Sequence, residues 1–88
     1  MTLSWTNAAI RDLQKLPKEI AGRITKKMEW YASQNSPLTF AKHLTNSLYG
    51  DYRFRVGNYR VICDTHNDAV HILFVLSVKH RKEAYRDL

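Results

Sequence analysis

The sequence predicts one α+β domain, residues 1–88, in which a small antiparallel sheet packs on an N-terminal α-helical hairpin. Three observations lead to this prediction. Apolar residues recur at helical spacing between residues 6 and 34. Apolar and polar residues then alternate with the two-residue period of strands between residues 51 and 78. A chain of 88 residues with 44% hydrophobic residues makes one small domain with a core of its own.

The N-terminal half predicts a short strand at residues 3–5, followed by two helices. Thr6 or Asn7 can cap a first helix that runs to about Leu16. Pro17 suits the first turn of a second helix, where its missing N–H costs nothing, and residues 35–37 end that helix. The apolar stripes consist of Ile10, Leu13 and Leu16 in the first helix and of Ile20, Ile24, Met28 and Tyr31 in the second.

The C-terminal half predicts strands near residues 51–56, 59–65 and 69–78, a turn at 66–68 and a short final helix within 81–88. Residues 38–50 fit either a helical turn or a packed loop. The last strand is apolar on both faces and should therefore be central. Strict alternation places Val78 with Ile72 and Phe74 on one face, and Leu73 with Val75 on the other. The element order is thus β-α-α-β-β-β-α, and the helices are expected on one face of the sheet.

The central feature of the sequence is a basic β-hairpin that turns at Gly57-Asn58, because a two-residue turn needs positive φ, which these residues supply cheaply. Closing the hairpin there places Arg55 opposite Arg60, with Arg53 two residues along the same face. Like charges in cross-strand pairs are destabilising, so this arrangement favours the binding of an anionic ligand. The alternative is a solvated basic face without function. We expect the arginine face to be open, with Arg60 and Arg81 pointing off the sheet.

Charge also points to a polyanionic partner. The net charge is +6 at pH 7, which favours either nucleic acid or an acidic protein. At the C-terminus, Arg81 and Tyr85 are four residues apart and would share one face of a helix. Cleavage of a nucleic acid needs cations around the phosphate, a flat ring for an unstacked base and a group that transfers protons, for which His80 has the appropriate pKa range. The alternative here is a charged terminal helix without function.

Several classes of function are excluded by the composition. The histidines occur singly and without a cysteine or carboxylate cluster, so no metal site and no cofactor are expected. Cys63 is the only cysteine, which fits a reducing cytoplasm, and its place beside Val61 indicates a buried hydrophobic residue. We expect no signal peptide and no membrane association.

These motifs resemble the RelE/ParE family of bacterial toxin–antitoxin systems. The resemblance covers essentially the whole chain: the β-α-α unit, the hairpin at residues 52–61 and the final segment at 78–86. It implies a microbial RNase-like fold and a toxin that an acidic, wrapping antitoxin holds inactive; the toxin–antitoxin complex would bind operator DNA through the antitoxin. In the RelE branch, it implies metal-independent cleavage of mRNA in the ribosomal A site, where the ribose 2′-OH attacks the adjacent phosphate.

The resemblance also implies roles for individual residues. Arg53 and Arg55 stand where RelE-like toxins have paired basic residues, often lysines. Arg60, Arg81 and Tyr85 match an arginine on the next strand, an arginine after the last strand and a C-terminal aromatic residue. The expected catalytic set is Arg53, Arg55, Arg60, His80, Arg81 and Tyr85, and the expected RNA contacts are Arg53, Arg55, Lys79, Lys82 and Arg86.

One departure concerns the general base. A guanidinium stays protonated, so arginine at positions 53 and 55 is poorly suited to replace a lysine base. Tyr85 or His80 could act as the base, or proton transfer could be weakly assisted. Two other classes remain open on sequence alone: a ParE-like toxin that inhibits DNA gyrase by binding, and a nucleic-acid-binding module without activity.

Overall fold

A computed structural model describes residues 1–67 and 71–83 of the chain. Five strands form one sheet in the order β1-β5-β4-β3-β2, and the helices lie between β1 and β2 in the sequence. The α+β class is therefore confirmed. The elements are β1 (Thr2–Trp5), α1 (Asn7–Gln14), α2 (Lys18–Ser33), a 3₁₀ turn (Pro37–Phe40), β2 (Lys42–His43), β3 (Tyr52–Val56), β4 (Tyr59–Asn67) and β5 (His71–His80).

The sheet is mixed, which differs from the fully antiparallel sheet that the sequence predicted. Strand β1 pairs parallel with β5 in the register Thr2 to Ile72, whereas the other strand pairs are antiparallel. Parallel neighbours need a long crossover connection, and here the helices and the other strands provide it. The position of β5 between β1 and β4 agrees with the prediction that it is an internal strand.

Helix α1 completes the hydrogen bonding of β5 beyond the end of β1. The Thr6 hydroxyl caps α1 by accepting from the Ala9 N–H at 3.2 Å, and it also donates to the Val75 carbonyl at 2.9 Å. The carboxylate of Asp12 accepts from the Val78 N–H at 2.9 Å. Because a buried backbone donor without a partner is costly, these two side chains stabilise the strand edge that β1 leaves open.

A β-bulge shifts the faces of β5. Ile62 pairs with Ser77, but the next residue, Cys63, pairs with Val75, so Leu76 is the extra residue. Val78 therefore joins Val75 in the core and is 8% exposed. Strict alternation had placed Val78 on the opposite face, and that prediction was wrong because the bulge interrupts the two-residue period.

The core lies between the sheet and the helices. Ile24, Met28 and Tyr31 of α2 are buried, as their spacing predicted, and Ile20 packs against them. In α1 the fully buried residue is Ala9, whereas Ile10 is 41% exposed. Leu13 and Leu16 pack against the core as the sequence predicted, and Ala9 takes the place of Ile10 on the buried side of α1. The sheet contributes Phe54, Val56, Val61, Cys63, Leu73, Val75 and Val78 to the core.

Residues that the sequence left unassigned form the 3₁₀ turn, β2 and the loop 44–51. Leu44 is buried, but Phe40 is 46% exposed and Leu48 is 97% exposed. Strand β4 extends through residue 67, so positions 66 and 67 of the predicted turn belong to the strand, and Asp68 lies outside the described residues. Residues 81–83 begin a helix, and the remainder of the predicted terminal helix also lies outside the described residues. No helix in the described part of the chain is long and apolar enough to cross a membrane.

Candidate nucleic-acid interface

The hairpin of β3 and β4 has the register that the sequence predicted. Val56 pairs with Tyr59, Arg55 with Arg60, and Phe54 with Val61. Gly57 adopts φ +58, whereas Asn58 does not have positive φ, as in a type II′ turn with glycine at its first position. Phe54 and Val61 face the core, so the arginines between them face the side of the sheet that is opposite the helices. We call this side the outer face.

Three cations form a row across the outer face. Arg55 on β3 pairs with Arg60 on β4, and Arg60 in turn pairs with Lys79 on β5. Neighbouring strands lie about 4.8 Å apart, so the row spans roughly 10 Å of backbone. Cross-strand like charges repel one another, and a bound phosphate would remove that repulsion. We call Arg55, Arg60 and Lys79 the basic row.

A fourth and a fifth cation lie beside the basic row. Arg53 precedes Arg55 by two residues on β3, and Lys42 on β2 is its cross-strand partner. Sequence reasoning missed Lys42, because a two-residue strand carries no periodic pattern that could be recognised. Lys42 is exposed and Arg53 is partly exposed. The outer face thus presents cations from four adjacent strands.

Arg60 is the exception to the expectation of an open arginine face, because it is only 5% exposed. Its Nη1 donates to the carbonyl oxygens of Gly57 at 3.0 Å and Tyr59 at 3.1 Å. The side chain is thus folded toward the hairpin turn and held there. Arg55, in contrast, is exposed. The row therefore combines one immobilised guanidinium with more accessible cations on each side of it.

Helix α2 holds the hairpin from the opposite side. The Tyr31 hydroxyl donates to the Arg55 carbonyl oxygen at 2.8 Å, and its ring packs on Phe54 with the centroids 5.0 Å apart. Burial raises the pKa of Tyr31, while the positive charge of Arg55 lowers it by a smaller amount. The phenol therefore stays protonated and keeps its hydrogen bond, which fixes the backbone that carries Arg55.

The loop 44–51 covers part of the outer face, which the sequence did not predict. The Asp51 N–H donates to the Cys63 carbonyl at 3.1 Å, and the Leu44 N–H donates to the Asp51 carbonyl at 2.7 Å. Between these anchors, Gly50 lies so close to Ile62 that an added Cβ would be 2.6 Å from Ile62 Cγ2. This packing accounts for the complete burial of Ile62 on the outer face.

Tyr49, in the same loop, lies at the edge of the basic row. The ring is 45% exposed, and Lys79 Nζ lies 5.6 Å from its centroid. Sequence reasoning did not select Tyr49, because only the packing of the loop brings it next to β5. The sequence offered one signal for this position: Tyr49 precedes Gly50, and a glycine permits a loop to approach a sheet closely.

His80 lies on the helix side of the sheet and not on the outer face. Its ring makes an edge contact with Tyr59 at 5.4 Å, in a small cleft that Ile20 and Ile24 also line. Its Nδ1 accepts from the Lys82 N–H at 3.3 Å, so the imidazole caps the first helical residues after β5. The sequence had placed His80 with the arginines; the side-chain alternation of β5 instead turns it away from Lys79.

The backbone of Arg81 lies next to the hairpin turn, because its N–H donates to the Asn58 carbonyl at 2.7 Å. Arg81 and Lys82 are both exposed. Tyr85 and Arg86 lie outside the described residues. The structure therefore brings together the hairpin arginines, Lys79 and the backbone of Arg81, and it separates His80 from the outer face.

Two other candidate chemistries have no support in the structure. Burial and the nearby Asp64 charge raise the pKa of Cys63, which is fully buried, so its thiol is not a nucleophile at neutral pH. Residues 1–67 and 71–83 contain no group of three or more histidine, cysteine, aspartate or glutamate side chains that could hold a metal ion.

Comparison with known proteins identifies the family. The family described as the ParE toxin of the type II toxin–antitoxin system parDE matches residues 3–85. The chain belongs to the RelE/ParE family of type II toxins. Toxin RelG of Mycobacterium tuberculosis is 34% identical over an alignment 88 residues long, which covers 97% of this chain and 95% of RelG. Toxin RelE of the same organism is 33% identical over 81 residues, which cover 92% of this chain and 81% of that toxin.

Solved structures show the same fold. The toxin–antitoxin complex RelBE2 of M. tuberculosis contains a chain with a TM-score of 0.73 and 30% identity, covering 91% of this chain and 96% of that one. The RelB–RelE antitoxin–toxin complex of Methanococcus jannaschii gives a TM-score of 0.64 and 28% identity, covering 94% and 95%. The relatives and structures are RelE and RelG toxins, so this RelE/ParE toxin is RelE-like, and a ParE-like alternative is not favoured.

Proposed function

We propose that this RelE-like toxin is a metal-independent endoribonuclease that cleaves mRNA on the ribosome and thereby inhibits translation. The observation that carries the proposal is the basic row, in which Arg55, Arg60 and Lys79 lie side by side on three adjacent strands. A row of cations with the immobilised guanidinium of Arg60 at its centre matches the charge that develops on a phosphate during cleavage.

The proposed reaction is an internal transfer at phosphorus. The ribose 2′-OH loses its proton and attacks the adjacent phosphorus atom, the bond from phosphorus to the 5′ oxygen breaks, and that oxygen takes up a proton. The products are a 2′,3′-cyclic phosphate and a 5′-hydroxyl. Arg60 is already immobilised by Gly57 and Tyr59, so it can stabilise the phosphorane without reorganising. Arg55 and Arg53 bind the phosphates on one side of it, and Lys79 binds on the other.

Proton transfer is assigned to the C-terminal segment or to solvent. The arginines remain protonated and cannot act as bases. The imidazole of His80 contacts Tyr59 and caps the helix that follows, so we give it a positioning role for Arg81 and Lys82. Tyr85 is the remaining candidate that the family resemblance supplies, either as the proton-transfer group or as a ring that stacks on a base.

The ribosome supplies geometry that the toxin lacks. The cations of the basic row can bind phosphates, but charge alone does not align a 2′-OH, the phosphorus and the leaving oxygen. In-line attack requires such alignment, and holding RNA in the A site would provide it. The toxin alone should therefore cut RNA poorly.

An antitoxin is the proposed protein partner. The RelE-like chains that this toxin resembles in structure were solved with their RelB antitoxins. The net charge of +6 suits an acidic, extended segment wrapped over the basic row, and operator DNA would be bound through the antitoxin. Such a segment would inhibit the toxin by occupying the cations that bind phosphate.

The test is cleavage by programmed ribosomes in vitro, with primer extension to map the cut sites and analysis of the new 3′ ends. We expect site-selective cutting that needs the ribosome and yields a 2′,3′-cyclic phosphate. Magnesium is kept at the level that ribosomes need for their integrity. Efficient and selective cutting of naked RNA, or a 3′-hydroxyl product, would refute the mechanism. Inhibition of DNA gyrase without any RNA cleavage would instead identify a ParE-like activity.

A further inference from the structure

We infer that the loop 44–51 and β2 form a base-binding subsite that selects one nucleotide of the RNA beside the scissile phosphate. This inference rests on the proposed ribonuclease function and names a part of its specificity. The subsite is a cleft of about 510 Å³, lined by residues 42–49. A cleft of that size lies within the range that holds small organic ligands.

The cleft is rigidly placed against the basic row. Backbone hydrogen bonds hold the loop at Leu44 and Asp51, and the close packing of Gly50 on Ile62 holds it against the outer face. Tyr49 therefore stays beside Lys79, and Lys79 lies next to Arg60 in the basic row. At the other end of the cleft, Lys42 pairs with Arg53. A nucleotide whose phosphate is held by these cations has its base within reach of the cleft.

The lining residues match the chemistry of a base. The ring of Tyr49 is 45% exposed and offers a surface on which a base can stack. The ammonium of Lys79 near that ring adds a positive charge for the attached phosphate. Asn46 and Thr45 supply amide and hydroxyl groups that can bond to the edge of a base. Stacking is tolerant of base identity, so the polar groups would provide the selectivity.

Asn46 allows a clean test, because its backbone has φ +58. Glycine adopts this conformation without strain, so Asn46→Gly removes the amide and keeps the loop. Tyr49→Ala removes the ring, and Tyr49→Phe keeps it without the hydroxyl. Phe40→Ala is the matched control, because Phe40 is an aromatic residue with nearly the same exposure, 46%, in contact with Trp30 and Tyr31 on the helix side.

The experiment measures cleavage of mRNA on programmed ribosomes, with kcat, KM and the distribution of nucleotides around each cut. We expect Tyr49→Ala to raise KM roughly 5- to 150-fold, the equivalent of one lost base stack, and to change kcat little. Tyr49→Phe should recover most of the KM that Tyr49→Ala loses, because it keeps the stacking ring, and Phe40→Ala should leave KM unchanged. Asn46→Gly should cut at a redistributed set of sites. Thermal unfolding of each variant verifies that it is folded.

The outcomes separate this inference from the proposed function. If the wild type cuts no RNA, the proposed function is wrong and the subsite falls with it. If the wild type cuts, but Tyr49→Ala and Asn46→Gly keep its KM and its sites, the subsite alone is refuted. A loss in Tyr49→Phe equal to that in Tyr49→Ala would also overturn it, because the stacking surface would then not be what matters.

Discussion

Replacement of Arg60 tests both the structure and the proposed chemistry. Truncation to alanine removes two buried methylenes, worth about 1.6 kcal/mol, and the hydrogen bonding of Nη1 to the Gly57 and Tyr59 carbonyls, which we count as one shared charge-assisted bond worth about 1.5–3 kcal/mol. Relief of repulsion from Arg55 and Lys79 returns up to about 2 kcal/mol. Arg60→Ala should therefore destabilise the fold by about 1–5 kcal/mol. This differs from the expectation for an exposed arginine, which could be truncated almost without cost.

Replacement of Arg60 by methionine separates the contribution of side-chain packing from the contribution of the positive charge. Arg60→Met keeps an unbranched apolar stem in the buried site, so it should cost only about 0–3 kcal/mol of stability. It should nevertheless lower the cleavage rate by about 10²–10³, the usual cost of removing one preorganised donor at a developing negative charge. Arg55→Met is the matched control for stability. Arg55 is exposed, so its replacement should not destabilise the fold, and relief of its repulsion with Arg60 should add at most about 1 kcal/mol to the unfolding free energy.

The measurements are urea unfolding of the three variants and the cleavage rate on programmed ribosomes. An Arg60→Ala variant as stable as the wild type would contradict the finding that the Arg60 guanidinium is buried and hydrogen-bonded to the hairpin turn. A folded Arg60→Met variant that cleaves at the wild-type rate would contradict the role of Arg60 at the phosphate. Either result can occur without the other, so the structural and the chemical arguments are tested separately.

Three further predictions concern features that hold the site. Gly50→Ala should cost about 1–3 kcal/mol in overpacking against Ile62 and about 1–3 kcal/mol in backbone strain at φ +157; a wild-type urea midpoint would refute the close packing of the loop. Asp12→Ala should cost about 1.5–3 kcal/mol, because the Val78 N–H loses its charged acceptor, and an unchanged unfolding free energy would show that water replaces the carboxylate. Burial raises the pKa of the Cys63 thiol above its ordinary value of 9.0, so the unfolded chain loses this proton at lower pH than the folded chain. The contribution of this thiol to the free energy of unfolding is therefore complete below pH 9 and falls above it by about 1.4 kcal/mol per pH unit. Urea unfolding between pH 8 and 11 should show a steeper loss of stability in the wild type than in Cys63→Ala. Equal slopes in the two proteins would contradict the raised pKa of Cys63.

The hairpin shows how much a local pattern can determine. The pairing of Arg55 with Arg60 was predicted from two local signals, the turn residues at positions 57 and 58 and the alternation on both sides of them. The structure has this pairing. The same holds for the capping of α1 by Thr6 and for the buried stripe of α2. In each case the residues that interact are close in the sequence, so spacing alone reveals which of them share a face.

Contacts between segments that are distant in the chain could not be predicted from the sequence. Alternation along β5 gave the wrong face for Val78, because the bulge lies in the pairing of β5 with β4, which no pattern within β5 shows. His80 was grouped with the arginines because it is near Arg81 in the chain, yet its side chain lies on the helix side. The sequence of β1 did not predict its parallel pairing with β5, since the paired residues lie about 70 positions later in the chain.

The sequence by itself determined the α+β class, the basic hairpin and the family, because periodicity, turn chemistry and charge are local properties of a chain. Tertiary structure decided how the cations are presented. It buried Arg60 against the hairpin turn, added Lys42 to the outer face and laid the loop 44–51 over Ile62 with Tyr49 beside Lys79. The positions of Lys42 and Tyr49 result from packing between segments that no local pattern connects. The partners of Arg60 are close in the sequence, but its burial is a property of the assembled sheet and not of any single strand.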